Sequence, residues 1–233
     1  MSDALPTVLV PGLLCSARLY AAQLPALWRL GPVMVADHTR DDSMAGIARR
    51  ILAAAPPRFA LVGLSMGGYI SFEIVRQAPE RVAKLALLDT LAPADTPEIS
   101  AARRTQMALA EQGSLGAVVD NLFARLVHPA RHGEPGLRAL IDAMAEEVGV
   151  PGYLRQQQAN IGRADSRPSL GAIRCPTLVM VGEQDVLTPP ERAVEIAAAI
   201  RGAKLVRLAD CGHLSTLERP AEVTQALTAW LQS

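Results

Sequence analysis

Six short apolar runs, at residues 7–10, 33–36, 59–64, 84–88, 177–181 and 204–208, punctuate the chain, and several lack any polar–apolar alternation. A strand with water on one face alternates, because successive side chains point to opposite faces. An unbroken apolar strand is covered on both faces, as in a parallel sheet packed between helices. Helical period appears between the runs, at 44–54, 67–77, 190–200 and 220–231. Ser43 precedes the first of these as a cap, and Pro220 stands in the first turn of the last, where its missing N–H costs nothing. The alternation predicts an α/β chain with a mostly parallel sheet of about six strands and helices on both faces.

The alternation lapses between residues 93 and 169, where the text is rich in Ala, Arg and Gln and broken at Gly113, Pro129, Gly133 to Pro135 and Gly149 to Pro151. Three segments follow: a first part of the core at 1–92, a helical lid insertion at 93–169, and a second part of the core at 170–233. A lid would lie over the carboxyl edge of the sheet, where open α/β folds bind ligands. The alternative is a helical subdomain with no covering role.

A chain of 233 residues, half of them hydrophobic and a fifth charged, suits one domain with a sizeable core. The formal net charge of +0, with no long run of Lys or Arg, gives no electrostatic reason to expect nucleic acid or an anionic membrane as partner. No apolar run approaches the roughly 18 residues of a membrane helix, and the segment MSDALPTVLVPG lacks the charged-then-apolar pattern of a secretory signal. Three widely spaced cysteines, Cys15, Cys175 and Cys211, suit a reduced, cytoplasmic protein. Oligomeric state is not legible.

The chemistry concentrates at Gly63-Leu64-Ser65-Met66-Gly67, which ends the run 59–64 and opens the helix 67–77. A serine on a sharp strand-to-helix turn has its hydroxyl lifted clear of the sheet, and small flanking residues relieve the crowding. The plainer alternative is a glycine-rich turn whose serine caps a helix. A nucleophilic hydroxyl needs an imidazole, and the imidazole needs an orienting carboxylate; on such a turn the chain order is Ser, acid, His. Of four histidines, His38 precedes Ser65, while His128 and His132 lie in the insertion. His213 directly follows the last apolar run and is the candidate base. Asp185, after the run 177–181, is the candidate acid; Asp89, after 84–88, is the rival, and Asp210 and Glu183 are nearby carboxylates. The oxyanion donors are expected at the Met66 N–H and, from the loop after the first run, the Leu13 N–H.

Pro11-Gly12, the Gly63–Gly68 turn, Gly182-x-x-Asp185, and Gly212-His213 followed by Glu218-Arg219-Pro220 together resemble the α/β-hydrolase superfamily over nearly the whole chain. The similarity is to its small carboxylesterases, related to pimeloyl-carrier-protein methyl ester esterase and 3-oxoadipate enol-lactonase. Residues 177–190 and His213-Leu214-Ser215 suggest the lactonases in particular. Pro11 departs from the family's usual histidine and removes a side-chain hydrogen bond that steadies the oxyanion loop. The first run corresponds to the family's third strand, so six core strands rather than eight are expected. The resemblance implies cofactor-free hydrolysis of a small carboxylic ester or thioester through an acyl-enzyme, with Ser65, His213 and Asp185 as triad and no metal. Lactone opening is the alternative, a non-catalytic ligand-binding member a further one, and fold alone leaves lyase or acyl-transfer chemistry open. The partner is then a small-molecule ester, thioester or lactone, with an acyl-carrier protein as a conceivable carrier. Leu13, Leu14, Met66 and Leu187 suggest an apolar mouth. Arg103, Arg104, Arg125, Arg155 and Arg163 either meet a substrate carboxylate or acidic carrier, or form a solvated helix face.

Overall fold

The apolar runs form one parallel sheet in a computed structural model that describes residues 4–233; the first three residues of the amino-terminal segment lie outside the described residues. The strands are β1 (Thr7–Val10), β2 (Val33–Val35), β3 (Phe59–Leu64), β4 (Val82–Leu88), β5 (Thr177–Gly182) and β6 (Lys204–Leu208). Their order is β2-β1-β3-β4-β5-β6, with every neighbouring pair parallel. All residues of β1, β3 and β5 are buried, whereas the edge strands β2 and β6 are partly exposed. Central strands are therefore the ones that lack alternation. β4 starts earlier than its apolar run because Val82 pairs with Phe59 across a register shift. The Lys84 ammonium leaves the sheet to donate to the carbonyls of Trp230 and Leu231, at 2.8 and 2.9 Å. A cation satisfies the last carbonyls of a helix in that way.

Among the described residues ten α-helices connect and cover the strands: α1 (Leu24–Trp28), α2 (Met44–Ala54), α3 (Met66–Gln77), α4 (Pro97–Glu111), α5 (Leu115–Leu126), α6 (Pro135–Ile161), α7 (Arg167–Leu170), α8 (Pro190–Ala199), α9 (Ser215–Glu218) and α10 (Pro220–Gln232). Alternate strand residues feed two cores. Leu9, Leu64, Leu88 and Met180 pack with Leu227 and Trp230 of α10, and Val8, Leu61, Leu85 and Val179 pack with Ile47, Ile70 and Ile196 on the opposite face. Helices thus lie on both faces of the sheet.

No strand occurs among residues 93–169. The long α6 changes direction at Gly149, whose φ of 66° is non-helical, just before Pro151. Phe123, Ile141, Met144 and Val148 of these helices join the core that contains Leu9. The segment is also hydrogen-bonded to the loops after β1 and β6: Leu14 N–H donates to Gln156 Oε1 at 3.1 Å, and His213 and Leu214 N–H both donate to the Leu126 carbonyl at 3.1 Å. No helix of the described residues is long and apolar enough to cross a membrane. Strand order reverses around β1, which lies between β2 and β3. Such a reversal opens a crevice at the carboxyl ends of the strands.

Candidate active site

Ser65 occupies the turn between β3 and α3 with φ 55° and ψ −115°. A side chain in that region costs on the order of 1–3 kcal/mol, so its surroundings must enforce it. Ser65 N–H donates to the Leu88 carbonyl at 2.9 Å, and the Ser65 carbonyl accepts from Gly68 N–H and the Thr90 hydroxyl, each at 2.8 Å. The glycines are needed for contact: a Cβ on Gly67 would overlap the Val10 carbonyl, and one on Gly68 would overlap Thr90. The turn therefore holds the Ser65 hydroxyl half-buried above the sheet edge, at the positive end of α3.

Loops from two later strands complete the cluster. His213, after β6, places Nε2 2.8 Å from Ser65 Oγ, and its Nδ1 lies 2.8 Å from Asp185 Oδ2. Asp185, after β5, accepts from Leu187 N–H at 2.8 Å, Thr188 N–H at 2.9 Å and the Thr188 hydroxyl at 2.5 Å. Burial opposes ionisation of both groups, but each charge compensates the other. The carboxylate raises His213 above the usual histidine range despite burial, with Asp89 and Glu218 adding to it. The His213 charge and the hydrogen bonds from His213 and Thr188 outweigh burial at Asp185 and lower it. The arrangement fits a histidine that accepts a proton from Ser65 while Asp185 stabilises the imidazolium.

Asp89, the rival acid, makes no hydrogen bond to His213. It ends β4 with φ 44°, accepts from Gly182 N–H at 2.9 Å, and takes the Ser215 hydroxyl on its other oxygen. Complete burial, with the Asp185 charge nearby, pushes it up to about 8. Asp210 pairs with Arg219 at 3.1 Å and Glu183 with Arg207 at 3.6 Å, both away from the imidazole. His128 N–H donates to Glu218, and His132 packs on Phe123 with its Nε2 at the Val127 carbonyl. Glu218 also accepts from Leu214 N–H, tying the His213 loop to the end of α5. Cys15 and Cys211 are buried, and burial pushes the Cys15 thiol up to about 12 and Cys211 higher still. Among the described residues no cluster of three or more His, Cys, Asp or Glu side chains is placed to hold a metal ion.

Met66 follows Ser65 in the chain and Leu13 follows Gly12, which packs against Ser65, and neither N–H donates to a protein acceptor among the described residues. Two polar residues beside this loop belong to no catalytic motif of the sequence. His38, after β2, and Gln156, on α6, are both buried and meet at 3.0 Å against the loop. The available signal was in α6, where Tyr153, Gln156, Gln157 and Asn160 recur at helical spacing. A polar stripe of that kind reads as solvent-facing until tertiary contacts bury it.

The arginines of the insertion divide. Arg103 and Arg163 converge on the buried Asp95, and Arg163 lies 4.3 Å from the Tyr69 ring centre. Arg155 donates to the Thr39 carbonyl at 2.7 Å. Arg104 and Arg125 are exposed. Arg155 and Arg163 thus tie residues 93–169 to the core, and Arg103 braces that segment internally through Asp95 and Gln157.

Sheet topology and the geometry around Ser65 define an α/β hydrolase. The chain belongs to the α/β-hydrolase family, whose sequence profile matches residues 6–226. It is 28% identical over 254 residues to a protein of Pseudomonas savastanoi pv. phaseolicola provisionally named carbamate hydrolase RutD, covering 100% of this chain and 95% of the relative. It is 28% identical over 217 residues to a pimeloyl-acyl-carrier-protein methyl ester esterase of Neisseria meningitidis, covering 88% and 83%. The enol-lactonase from Burkholderia xenovorans LB400 has the same architecture, with a TM-score of 0.90, 26% identity, and coverage of 100% of this chain and 93% of that one.

Proposed function

We propose that the protein hydrolyses a small carboxylic ester or thioester, with Ser65 as nucleophile, His213 as general base and acid, and Asp185 as the orienting carboxylate. The observation that carries this is the unbroken line from Asp185 Oδ2 through both His213 nitrogens to Ser65 Oγ, with both contacts at 2.8 Å. Ser65 Oγ attacks the carbonyl carbon as its proton passes to His213 Nε2. The Leu13 and Met66 N–H groups receive the negative charge on the carbonyl oxygen, each worth about 3 kcal/mol. Collapse expels the alcohol or thiol, which takes the proton from Nε2 and leaves an acyl-Ser65. Water, deprotonated by the same nitrogen, then releases the acid and restores Ser65.

Residues 93–169 are the lid in this reading, supported by their hydrogen bonds to the loops that carry Leu14 and His213. Three free cysteines support a cytoplasmic setting. Lactone opening is the second reading, favoured by the likeness to the Burkholderia enol-lactonase. A lactone gives one product and an open ester two, so product masses separate them. A panel of esters, thioesters, lactones and a carrier-protein acyl ester, run with wild type and Ser65→Ala, tests the assignment. Wild-type turnover with a loss of at least about 10³-fold in Ser65→Ala is expected. Full activity in Ser65→Ala overturns the mechanism, and failure of a phosphonate probe to label Ser65 favours a ligand-binding member of the fold.

A further inference from the structure

Leu13 lies between two peptide groups that are both tied to the same buried pair of side chains. The Gly12 carbonyl accepts from Cys15 N–H at 3.1 Å and lies 2.9 Å from His38 Nε2. The following amide, Leu14 N–H, donates to Gln156 Oε1 at 3.1 Å, and Gln156 Nε2 is 3.0 Å from His38 Nε2. Burial keeps His38 below its ordinary pKa, against the pull of the Gly12 carbonyl, so the ring is neutral and carries one N–H. As an N–H donor Nε2 serves the Gly12 carbonyl; as a bare nitrogen it accepts from the Gln156 amide. The hold of Gln156 on Leu14 is the same in either tautomer.

In a planar trans peptide the C=O and the N–H point in opposite directions. A grip on the Gly12 carbonyl therefore aims the Leu13 N–H. Gly12 is packed on the nucleophile, since a Cβ added there would lie 3.4 Å from Ser65 Cβ. Leu14 has φ 57°, a conformation that leucine avoids and that an outside partner must hold. Pro11, with neither an N–H nor a polar side chain, gives the loop no anchor of its own.

Resting on the assignment of Ser65 as nucleophile, we propose that His38 and Gln156 are positioning residues that orient the Leu13 N–H as an oxyanion donor. His38, with its proton on Nε2, fixes the direction of the Gly12–Leu13 peptide, and Gln156 locks Leu14 in its left-handed conformation. Because Gln156 belongs to α6, stabilisation of the oxyanion requires the helical insertion to be seated. A family position usually filled by histidine within the loop is thereby replaced by two residues from distant segments.

The test uses the full chain and the best ester of the panel, with a trifluoromethyl ketone as oxyanion-forming inhibitor. His38→Leu and Gln156→Met are expected to lose on the order of 10- to 100-fold in kcat. KM should change by less than about threefold, and the ketone should weaken in parallel with kcat. His38→Gln, which keeps an N–H near the place of Nε2, should recover to within about fivefold of wild type. Wild-type kcat and ketone affinity in both removal variants, with Ser65→Ala inactive, overturn the proposal and leave the Ser65 assignment standing. An active Ser65→Ala overturns the assignment itself. Equal losses in His38→Leu and His38→Gln overturn the positioning role of His38, because a packing role would not distinguish them. Circular dichroism identifies any variant that does not fold, and the remaining removal variant then decides.

Discussion

His213 Nδ1 and the Asp185 carboxylate meet at 2.8 Å, whereas Asp89, at the end of the adjacent strand, commits its oxygens to Gly182 and Ser215. Asp185→Asn should therefore lower kcat by roughly 10³- to 10⁴-fold, through loss of charge and of the correct tautomer. Asp89→Asn should cost less than about tenfold, since Asp89 makes no hydrogen bond to the imidazole or to Ser65. Steady-state kinetics on one ester decide, and a larger loss at Asp89 would move the acid role there.

Activity should fall on the acid side as His213 takes a proton, because only the neutral ring accepts the Ser65 proton. Burial lowers its pKa but the Asp185 carboxylate more than compensates, so the midpoint of kcat/KM should lie above the ordinary value of 6.5. In Asp185→Asn the charge is gone and burial remains, so the residual activity should show an acid midpoint displaced to lower pH. An unmoved midpoint would show that Asp185 does not set the charge state of His213.

Asp89 carries a separate pH signature in stability. Its pKa is raised from 3.8 to about 8 in the folded chain. Between those values the folded state binds more protons at this site than the unfolded state, so stability attributable to Asp89 declines as pH rises. Asparagine mimics the neutral acid and does not titrate. Asp89→Asn should match wild type near pH 4 and gain at least about 3 °C in Tm over wild type by pH 8. A constant Tm difference across that range would show that Asp89 does not change its protonation state between pH 4 and pH 8.

Thiol reagents should leave activity intact although Cys15 and Cys211 lie on the site loops. Burial raises the pKa of all three thiols, but only Cys175, after residue 169 and before β5, is partly exposed. Reactive thiols are accessible and ionised. Maleimide should therefore modify Cys175 first, with mass spectrometry showing the site and less than about twofold loss of activity. Early modification of Cys15 with inactivation would show that the loop after β1 opens in solution.

Much of this was legible because the governing forces are local or periodic. An unbroken apolar run such as 59–64 declares a strand buried on both faces, and β3 is buried throughout. The spacing Gly63-x-Ser65-x-Gly67 declares a crowded turn, and the overlaps that any Cβ on Gly63 or Gly67 would create show that crowding. Asp185 and His213 could be proposed because each follows a strand run, and the carboxyl ends of parallel strands all lie on one edge of the sheet.

Tertiary packing decided what no local pattern encodes. Asp89 and Asp185 are both aspartates at strand ends, and only the path of the loop after β5, with Thr188 turned onto Asp185, gives one of them the histidine. His38 and Gln156 stand 118 residues apart and gain meaning only where both meet the loop at Gly12 and Leu14. Sequence by itself determined the layered α/β sheet, the glycine-flanked Ser65 turn and the strand ends from which Asp185 and His213 come. The tertiary structure decided which carboxylate faces the imidazole and what holds the loop at Gly12 and Leu14. Those outcomes depend on hydrogen bonds between distant segments, whose geometry exists only once the chain is packed.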